Sequence, residues 1–264
     1  MTMSSYQLDF LKRMKRDKSF IRFVRILVFL LFLTLWEVAA RLEWIDSFIF
    51  SSPSLIGKTF VNLLLHQQLT AHIAITLTET ITSFFLVLLF STGAAILLWV
   101  FPRLAAILEP YFVVLNSLPK SALAPLLIVW LGANMKTIIL AGMSVAIFGS
   151  ILSLFSGFQE IDQDKQMLIK TLGGTKKDVL FKVILPASVP IQLSITKVNI
   201  GLCLVGVVIG EFIGAKEGLG YLIIYSSQVF KLTNLILSIC ILCVIAMGLY
   251  AIIGAVEKWY LKKV

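Results

Sequence analysis

Leu104-Ala-Ala-Ile-Leu-Glu-Pro110-Tyr-Phe-Val-Val-Leu-Asn116-Ser117-Leu-Pro119-Lys120-Ser-Ala-Leu-Ala-Pro125-Leu-Leu-Ile-Val-Trp130-Leu131 is apolar enough to cross a bilayer and too interrupted to do so as one straight helix. A helix rises about 1.5 Å per residue and the hydrocarbon core is about 30 Å thick, so a span takes about 20 mostly apolar residues. The stretch has that length, but Pro110, Pro119 and Pro125 interrupt it together with Asn116, Ser117 and Lys120. Proline removes a backbone donor and clashes with the preceding turn. The expectation is a broken span or two short helices. Backbone groups freed at membrane depth need protein or a wet cavity to satisfy them, so this third span is expected beside a pathway. Whether it counts as a span decides between five and six.

Around it lies a chain of 264 residues that is 59% apolar and only 14% charged, with a mean hydropathy of +0.97. Soluble domains carry about a quarter charged residues, so there is too little polar surface here for a soluble enzyme or a disordered tail. Five further runs are long enough to span by themselves: 23–40, 76–101, 137–158, 189–213 and 232–256. The first follows a basic flank (Lys12, Arg13, Lys15, Arg16, Lys18, Arg22), as a signal peptide would. Its apolar stretch is too long for a signal core, and Glu37 and Arg41 crowd the small residues Val38, Ala39 and Ala40. It is read as an uncleaved span. Counting Lys and Arg in alternate loops gives sixteen on the side of the N-terminus and five on the other. The positive-inside rule puts the sixteen in the cytoplasm. Both termini then face inward, which requires an even number of spans, and six satisfies it. The layout is a basic cytoplasmic segment 1–22, a first span 23–40, an extracytoplasmic loop 41–75, a membrane core 76–256 with a long cytoplasmic loop at 159–190, and a cytoplasmic tail 257–264. The net charge of +9 is thereby a topology signal rather than a nucleic-acid footprint.

Several chemistries are missing. His66 and His72 stand in the outer loop without a cysteine cluster and read as solvent-facing polar residues; no metal site is expected. Cys203, Cys240 and Cys243 all lie inside apolar runs, where a thiol behaves as a small hydrophobe. No Gly-x-x-x-x-Gly-Lys-Ser/Thr loop occurs; Gly132 to Thr137 ends in Lys-Thr without the second glycine, and Leu172-Gly173-Gly174-Thr175 is no nucleotide loop. The chain is expected to bind no cofactor and to catalyse no reaction itself.

The loop 159–190 is the most specific part of the sequence. Asp162 can cap a short helix over 163–172, Gly173 and Gly174 permit a sharp turn, and a second short helix over 176–184 is expected to end before Pro186. Lys170, Lys176, Lys177, Asp178 and Lys182 stand among apolar residues. Such a unit suits either anionic headgroups or a cytoplasmic partner.

Residues 170–190, Lys170-Thr-Leu-Gly-Gly-Thr-Lys-Lys-Asp-Val-Leu-Phe-Lys-Val-Ile-Leu-Pro-Ala-Ser-Val-Pro190, resemble the coupling-loop motif of ABC importer permeases. That motif is Glu-Ala-Ala, three residues, Gly, nine residues, Ile, one residue, Leu-Pro. Gly173 takes the glycine, Val183 the isoleucine position, and Leu185 with Pro186 the Leu-Pro pair. Met167, Leu168 and Ile169 replace Glu-Ala-Ala, which leaves open whether Glu160, Asp162 or Asp164 stands in for the family's docking carboxylate. Ser52-Pro53-Ser54, Leu118-Pro119 followed by 122–132, and Gly210-Glu211 followed by Gly218-Leu-Gly220-Tyr-Leu-Ile are similar to the nitrate/sulfonate/taurine group of these permeases. The resemblance spans about residues 50 to 260. It implies an all-α polytopic membrane protein with the type I ABC importer permease fold, six transmembrane helices and a broken third one, in a bacterial cell membrane. It also implies a second permease copy, cytoplasmic ABC ATPase subunits that hold ATP and Mg, and an extracytoplasmic solute-binding protein. In this reading Asp162, Met167, Lys170, Gly173, Gly174, Lys177, Val183, Leu185 and Pro186 form the ATPase-coupling loop. The cargo would be a small anionic solute; a heterocyclic vitamin precursor is the alternative.

Intramembrane charge is costly and tends to be paired and functional. Asn116 and Lys120 are candidates to line the pathway, a cationic lining suiting an anionic cargo. Lys197 and Glu211, fourteen residues apart and roughly on one face, are further candidates; Lys197 could instead snorkel to the cytoplasmic interface, and Glu211 could make a structural hydrogen bond near the outer gate. Gly206, Gly210 and Gly214 recur every four residues, the pattern of close helix approach, and are assigned to helix packing, with the permease dimer interface as one candidate place for it. A secondary transporter would need an internal repeat and a midplane carboxylate for ion coupling; neither is evident in the sequence.

Overall fold

The computed structural model describes residues 5–66 and 69–262, which contain helices and no strand. The first four residues of the basic N-terminal segment, and Lys263 and Val264 of the tail, lie outside the described residues, as do the side chains of Lys12, Arg13, Lys15 and Lys18. The elements are α1 (Ser5–Arg41), α2 (Ser47–Phe50), α3 (Pro53–His66), α4 (Leu69–Val100), α5 (Pro102–Ser117), α6 (Lys120–Leu131), α7 (Met135–Gln159), α8 (Gln163–Thr171), α9 (Lys176–Val179), α10 (Leu185–Gly214), α11 (Leu219–Gln228) and α12 (Leu232–Leu261).

Five helical stretches are long and apolar enough to cross a membrane: Ser19–Arg41, Leu69–Val100, Met135–Gln159, Lys176–Gly214 and Leu232–Tyr260. The sixth candidate is the pair α5 and α6, bent by 96°. The break is narrower than the three prolines suggest. Pro110 and Pro125 sit inside α5 and α6, and the chain turns only at Leu118-Pro119, both extended at ψ 141° and 110°. A residue that precedes proline is pushed out of the helical region by the ring, and here the proline that follows begins a new helix.

A second correction concerns Pro186. The expected second short helix does not end at 184: α9 continues through a π-helical turn, Leu180–Ile184, straight into α10. Leu185 N–H bonds back to Leu180 O across that wider turn. Pro186 follows just after the π turn, and the wider turn before it accommodates the missing N–H and the ring inside a continuous helix.

The core is a three-helix bundle in which α7 packs most closely against both α4 and α10, and α4 and α10 also touch each other. Half of α7's apolar window is buried within the chain, against 6% for α1 and 11% for α12, which present their apolar sides outward. Small residues set the spacing. A Cβ on Gly142 would lie 2.6 Å from Ser83 Oγ and 2.8 Å from Val207 Cγ2, and one on Gly206 would lie 2.8 Å from Gly142 Cα. Gly210 faces Ala141 and Ile138, and Gly214 faces Ile128 of α6. The every-fourth-residue glycines therefore face helices of their own chain, not a dimer interface: their stripe is already occupied by α7 and α6.

Polar side chains bridge the same seam. Asn199 Nδ2 donates to Ser150 Oγ at 2.8 Å, Ser150 Oγ to Ser91 Oγ at 3.1 Å, and Gln192 Nε2 to Thr92 Oγ1 at 2.9 Å. Between helices in lipid each such bond contributes about 0.6–2 kcal/mol. Two apolar clusters close the ends. One gathers Leu98, Leu154, Phe158, Val179 and Ile184, and the other Leu63, Leu69, Leu219, Leu222 and Leu237. A Gly206→Leu substitution should drive α7 and α10 apart and cost about 1–3 kcal/mol, seen as a lower unfolding midpoint in detergent. Gly93→Leu, on a surface with nothing within 4 Å, should leave the midpoint unchanged or slightly raised.

Candidate functional site

Two ends of the molecule carry the polar chemistry. At one lies the helix-turn-helix unit of residues 159–190. Asp162 caps α8 by accepting from Asp164 N–H at 2.9 Å, so its carboxylate has a structural task. The chain leaves α8 through Gly173 at φ +81°, with Gly174 N–H bonding to Ile169 O at 2.9 Å. A side chain at Gly174 would have its Cβ 2.8 Å from that same carbonyl oxygen. Thr175 and Asp178 then form a reciprocal cap on α9, and Lys182 bonds to Asp178 at 2.8 Å. Together these interactions hold a turn that the two glycines make sterically possible.

The unit is fastened to the bundle on one side and bare on the other. Val179, Leu180 and Ile184 are buried against Phe158 and Leu154 of α7, with Val183 and Leu185 packed beside them. Lys176 Nζ donates to Val100 O at the end of α4 and lies 5.6 Å over the Trp99 ring. Met167 is 66% and Leu172 75% exposed, and Leu168 and Phe181 are exposed as well, with Lys170, Lys177 and Pro186 also at the surface. A cavity of about 550 Å³ opens between Trp99, Gln159, Gln163 and Lys170.

At the break between α5 and α6, the structure brings Asn116 and Lys120 together on α7. Asn116 Oδ1 lies 3.1 Å from where a Cβ of Gly149 would be. Lys120 Nζ donates to Leu115 O at 3.2 Å and lies 5.9 Å from the centre of the Phe148 ring. The ammonium thereby serves a carbonyl that α5 leaves unpaired at its end.

Lys197 and Glu211 are not brought together. Fourteen residues of helix separate them by about 21 Å, and each has its own partners. Lys197 pairs with Glu257 of α12 and lies over the Tyr250 ring. Glu211 is fully buried at the opposite end from the unit, where Thr76 Oγ1 donates to Oε1 at 2.6 Å and Gly220 N–H to Oε2 at 2.5 Å. Thr76 Oγ1 also accepts from Leu219 N–H at 2.8 Å, and His72 Nδ1 from Gly218 N–H at 2.9 Å. The α10–α11 turn is built around this carboxyl. Gly218 adopts φ +110°, and a Cβ at Gly218 or Gly220 would collide with the Glu211 carboxyl itself.

His72 is thus a half-buried residue of α4 stacked on Tyr221, not the solvent-facing loop histidine expected; α4 begins seven residues before the apolar run at Thr76 does. Glu79 escaped notice altogether. It is 1% exposed, and its carboxyl meets that of Glu211 at hydrogen-bonding distance. The signal was available: Glu79 is the sole charge in 76–101 and stands three residues after Thr76, on the same helix face.

Known proteins share both the sequence pattern and the fold. The family described as "binding-protein-dependent transport system inner membrane component" matches residues 89–261. A probable ABC transporter permease protein of Haemophilus influenzae is 30% identical over 219 residues, covering 83% of this chain and 88% of the relative. The taurine transport system permease protein TauC of Escherichia coli is 26% identical over 239 residues, covering 86% of each. Among solved structures, an inward-facing MetNI methionine ABC transporter chain superimposes with a TM-score of 0.65 at 17% identity, over 72% of this chain and 94% of that one. At that identity the likeness speaks for the fold.

If the α10–α11 turn depends on two glycines moulded to Glu211, Gly220→Ala should push it off α4. Tryptic cleavage after Lys216, the exposed lysine of the turn, should accelerate about tenfold in detergent, as overpacking of about 1–3 kcal/mol favours local opening.

Proposed function

The chain belongs to the family of binding-protein-dependent transport system inner membrane components, the permeases of ABC importers, and from that premise we propose how it works. The side bearing sixteen of the Lys and Arg residues faces the cytoplasm, with both termini and the 159–190 unit. An ABC ATPase subunit docks on that unit and supplies the ATP and Mg chemistry for which this chain has no phosphate loop. A solute-binding protein delivers cargo at the other face, and two copies of the chain enclose the pathway.

The observation that carries this reading is the unit's two-sidedness. Its outer face, Met167, Leu168, Leu172 and Phe181, is apolar and bare, flanked by Lys170 and Lys177. Its inner residues, Val179, Leu180 and Ile184, are embedded among α4 and α7. A push on the bare face therefore moves the bundle rather than a loose loop. Met167, Leu168 and Ile169 stand where the motif has Glu-Ala-Ala, so docking here relies on apolar burial, about 25 cal/mol per Å², more than on a carboxylate.

For cargo, the cationic Lys120 beside Asn116 at the broken span supports a small anionic solute of the sulfonate or taurine type, in line with the relative named for taurine. The freed backbone at Leu118-Pro119 is the kind of irregularity tolerated in a membrane where it lines a cavity.

Reconstitution in vesicles with the cognate ATPase and binding protein tests both parts. Gly174→Pro should insert normally yet reduce cargo-stimulated ATP hydrolysis and uptake at least about tenfold, because the ring removes the N–H that closes the turn on Ile169. Stimulation at the normal level would remove the unit from coupling. Lys120→Gln should lower uptake of an anionic solute about tenfold, the scale of one charge-assisted contact; unchanged uptake would take Lys120 out of the pathway.

A further inference from the structure

A cavity of about 450 Å³ opens on the flank of the molecule where α2 and α3 meet the start of α12. Its volume lies within the ordinary range of small-molecule sites. Phe48, Leu55 and Phe230 form its apolar side, and Ser47, Lys231 and Thr233 its polar side. Around it the surface is aromatic and uncovered. Trp44 is 76% exposed, Phe48, Ile49 and Phe50 are exposed as well, and no residue of α2 is buried. The segment is nevertheless held in place. Asp46 caps α2 by accepting from Phe48 N–H at 2.8 Å, and the fully buried Ser51 donates from Oγ to Thr233 Oγ1 at 3.2 Å. Phe230 stands at φ +56°, a left-handed conformation that bulky residues rarely adopt, with its ring exposed. A strained turn and several large apolar side chains are thus fixed on a face that no other described part of the chain covers.

Position says what covers it. The short helix α2 packs against α1 and α12, the two spans whose apolar windows are least buried within the chain. Both spans have an end here. The first stops at Arg41, three residues before Trp44, and the last starts at Leu232, two residues after Phe230. The aromatic face is therefore continuous with two lipid-facing helices, at the level where they leave the hydrocarbon and where an indole ring is at home. A solute-binding protein or a second copy of the chain fits this face less well. Both belong beside the pathway, and the broken span packs on α7 and α10; this exclusion alone rests on the function proposed above.

We propose that this cavity seats one phospholipid of the adjoining leaflet, with its phosphate on Lys231 and an acyl chain along Phe48, Leu55 and Phe230. Lys231 is exposed and in no ion pair among the described residues. Its ammonium can meet a headgroup phosphate while its methylenes stay on apolar surface. Thr233 Oγ1 accepts from Ser51 and so keeps its own proton to donate to the phosphate. No acidic side chain lines the cavity; of the acids that precede it in the chain, Asp46 is engaged in the α2 cap. Inorganic phosphate would satisfy the polar half of the site and leave the apolar half bare, so the occupant is a lipid. The seat needs neither the ATPase nor any particular cargo, and it holds whichever leaflet this end of the chain faces.

The test uses the full-length permease without its partners, so its outcome is independent of coupling and of cargo. Native mass spectrometry of the protein released from detergent should show one phosphatidylglycerol retained per chain. Lys231→Gln should lower that retention about tenfold, the scale of one charge-assisted contact, whereas Lys216→Gln, at an exposed lysine of another turn, should leave it unchanged. Diacylglycerol, which has the chains and no phosphate, should be retained about tenfold less, and excess inorganic phosphate should not displace the lipid. The aromatic face is read separately. Trp36→Phe, Trp99→Phe, Trp130→Phe and Trp259→Phe together leave Trp44 as the sole indole. In nanodiscs, phospholipid brominated high on its acyl chains should quench Trp44 at least about twofold, and aqueous iodide should not. Absence of a retained phospholipid, undiminished retention by Lys231→Gln, displacement by inorganic phosphate, or quenching of Trp44 by iodide and not by brominated lipid would each overturn the proposal. Were the variant with one indole not to fold by circular dichroism, lipid retention by the wild type and Lys231→Gln decides.

Discussion

The approach of α10 to α7 at Gly206 and Gly142 governs the arrangement of everything else. At that point the two backbones come so close that a methyl group on either glycine would touch the other helix. Apolar side chains gain nothing by leaving lipid for another apolar helix, so helices in a membrane associate through tight packing and polar contacts. Both are concentrated on this seam. Gly142, Gly206 and Gly210 let the helices close, and Asn199, Ser150 and Ser91 are then near enough to bond across three helices. With α7 held against both α4 and α10, the remaining helices are placed by default. The bent α5–α6 pair lies on α7 and α6 reaches Gly214, while α11 and α12 close the other side of α10.

The same helix also ties the two polar ends of the molecule to one rigid element. The helical stretch Lys176–Gly214 is continuous through its π turn, and 39 residues of helix measure about 58 Å. It begins inside the helix-turn-helix unit and ends at Gly214, just past Glu211 and beneath the α10–α11 turn. Phe181 and its neighbours thus stand on the same rigid element that carries Glu211 near its far end. Had the chain broken at Pro186, the unit would hang from the bundle on a hinge. The π turn is the local adjustment that keeps the rod whole.

Much of this was legible residue by residue. Runs of 20 or more apolar residues announce spans because the bilayer sets a length that few soluble elements need, and Leu118-Pro119 announces a break because of a local steric clash. The Gly173-Gly174 turn was legible for the same reason: φ +81° at Gly173 is a conformation set by one residue. What failed were inferences about who stands opposite whom. The glycines of α10 show that a backbone approaches closely, but a self-packing stripe and a dimer stripe have one and the same pattern. Pro186 looked like an end because the π turn that absorbs it depends on Val179, Leu180 and Ile184 being buried by α7. For Lys197 and Glu211, the helix they share does not say what each meets; Glu257 for one, Thr76 and Gly220 for the other, are set by the packing of other segments.

Sequence by itself determined that the chain is an all-helical membrane protein with a broken third span, a glycine-hinged unit between the fourth and fifth spans, and a basic majority on one side. Each of these follows from composition or from interactions within a few residues along the chain. Tertiary structure alone decided that Glu211 meets Glu79, 132 residues earlier, that Gly218 and Gly220 are glycines to admit that carboxyl, and that His72 is drawn into the same node. Those contacts join α4 to the far end of α10. No local rule connects the two, because what makes them neighbours is the packing of α4, α7 and α10 against one another.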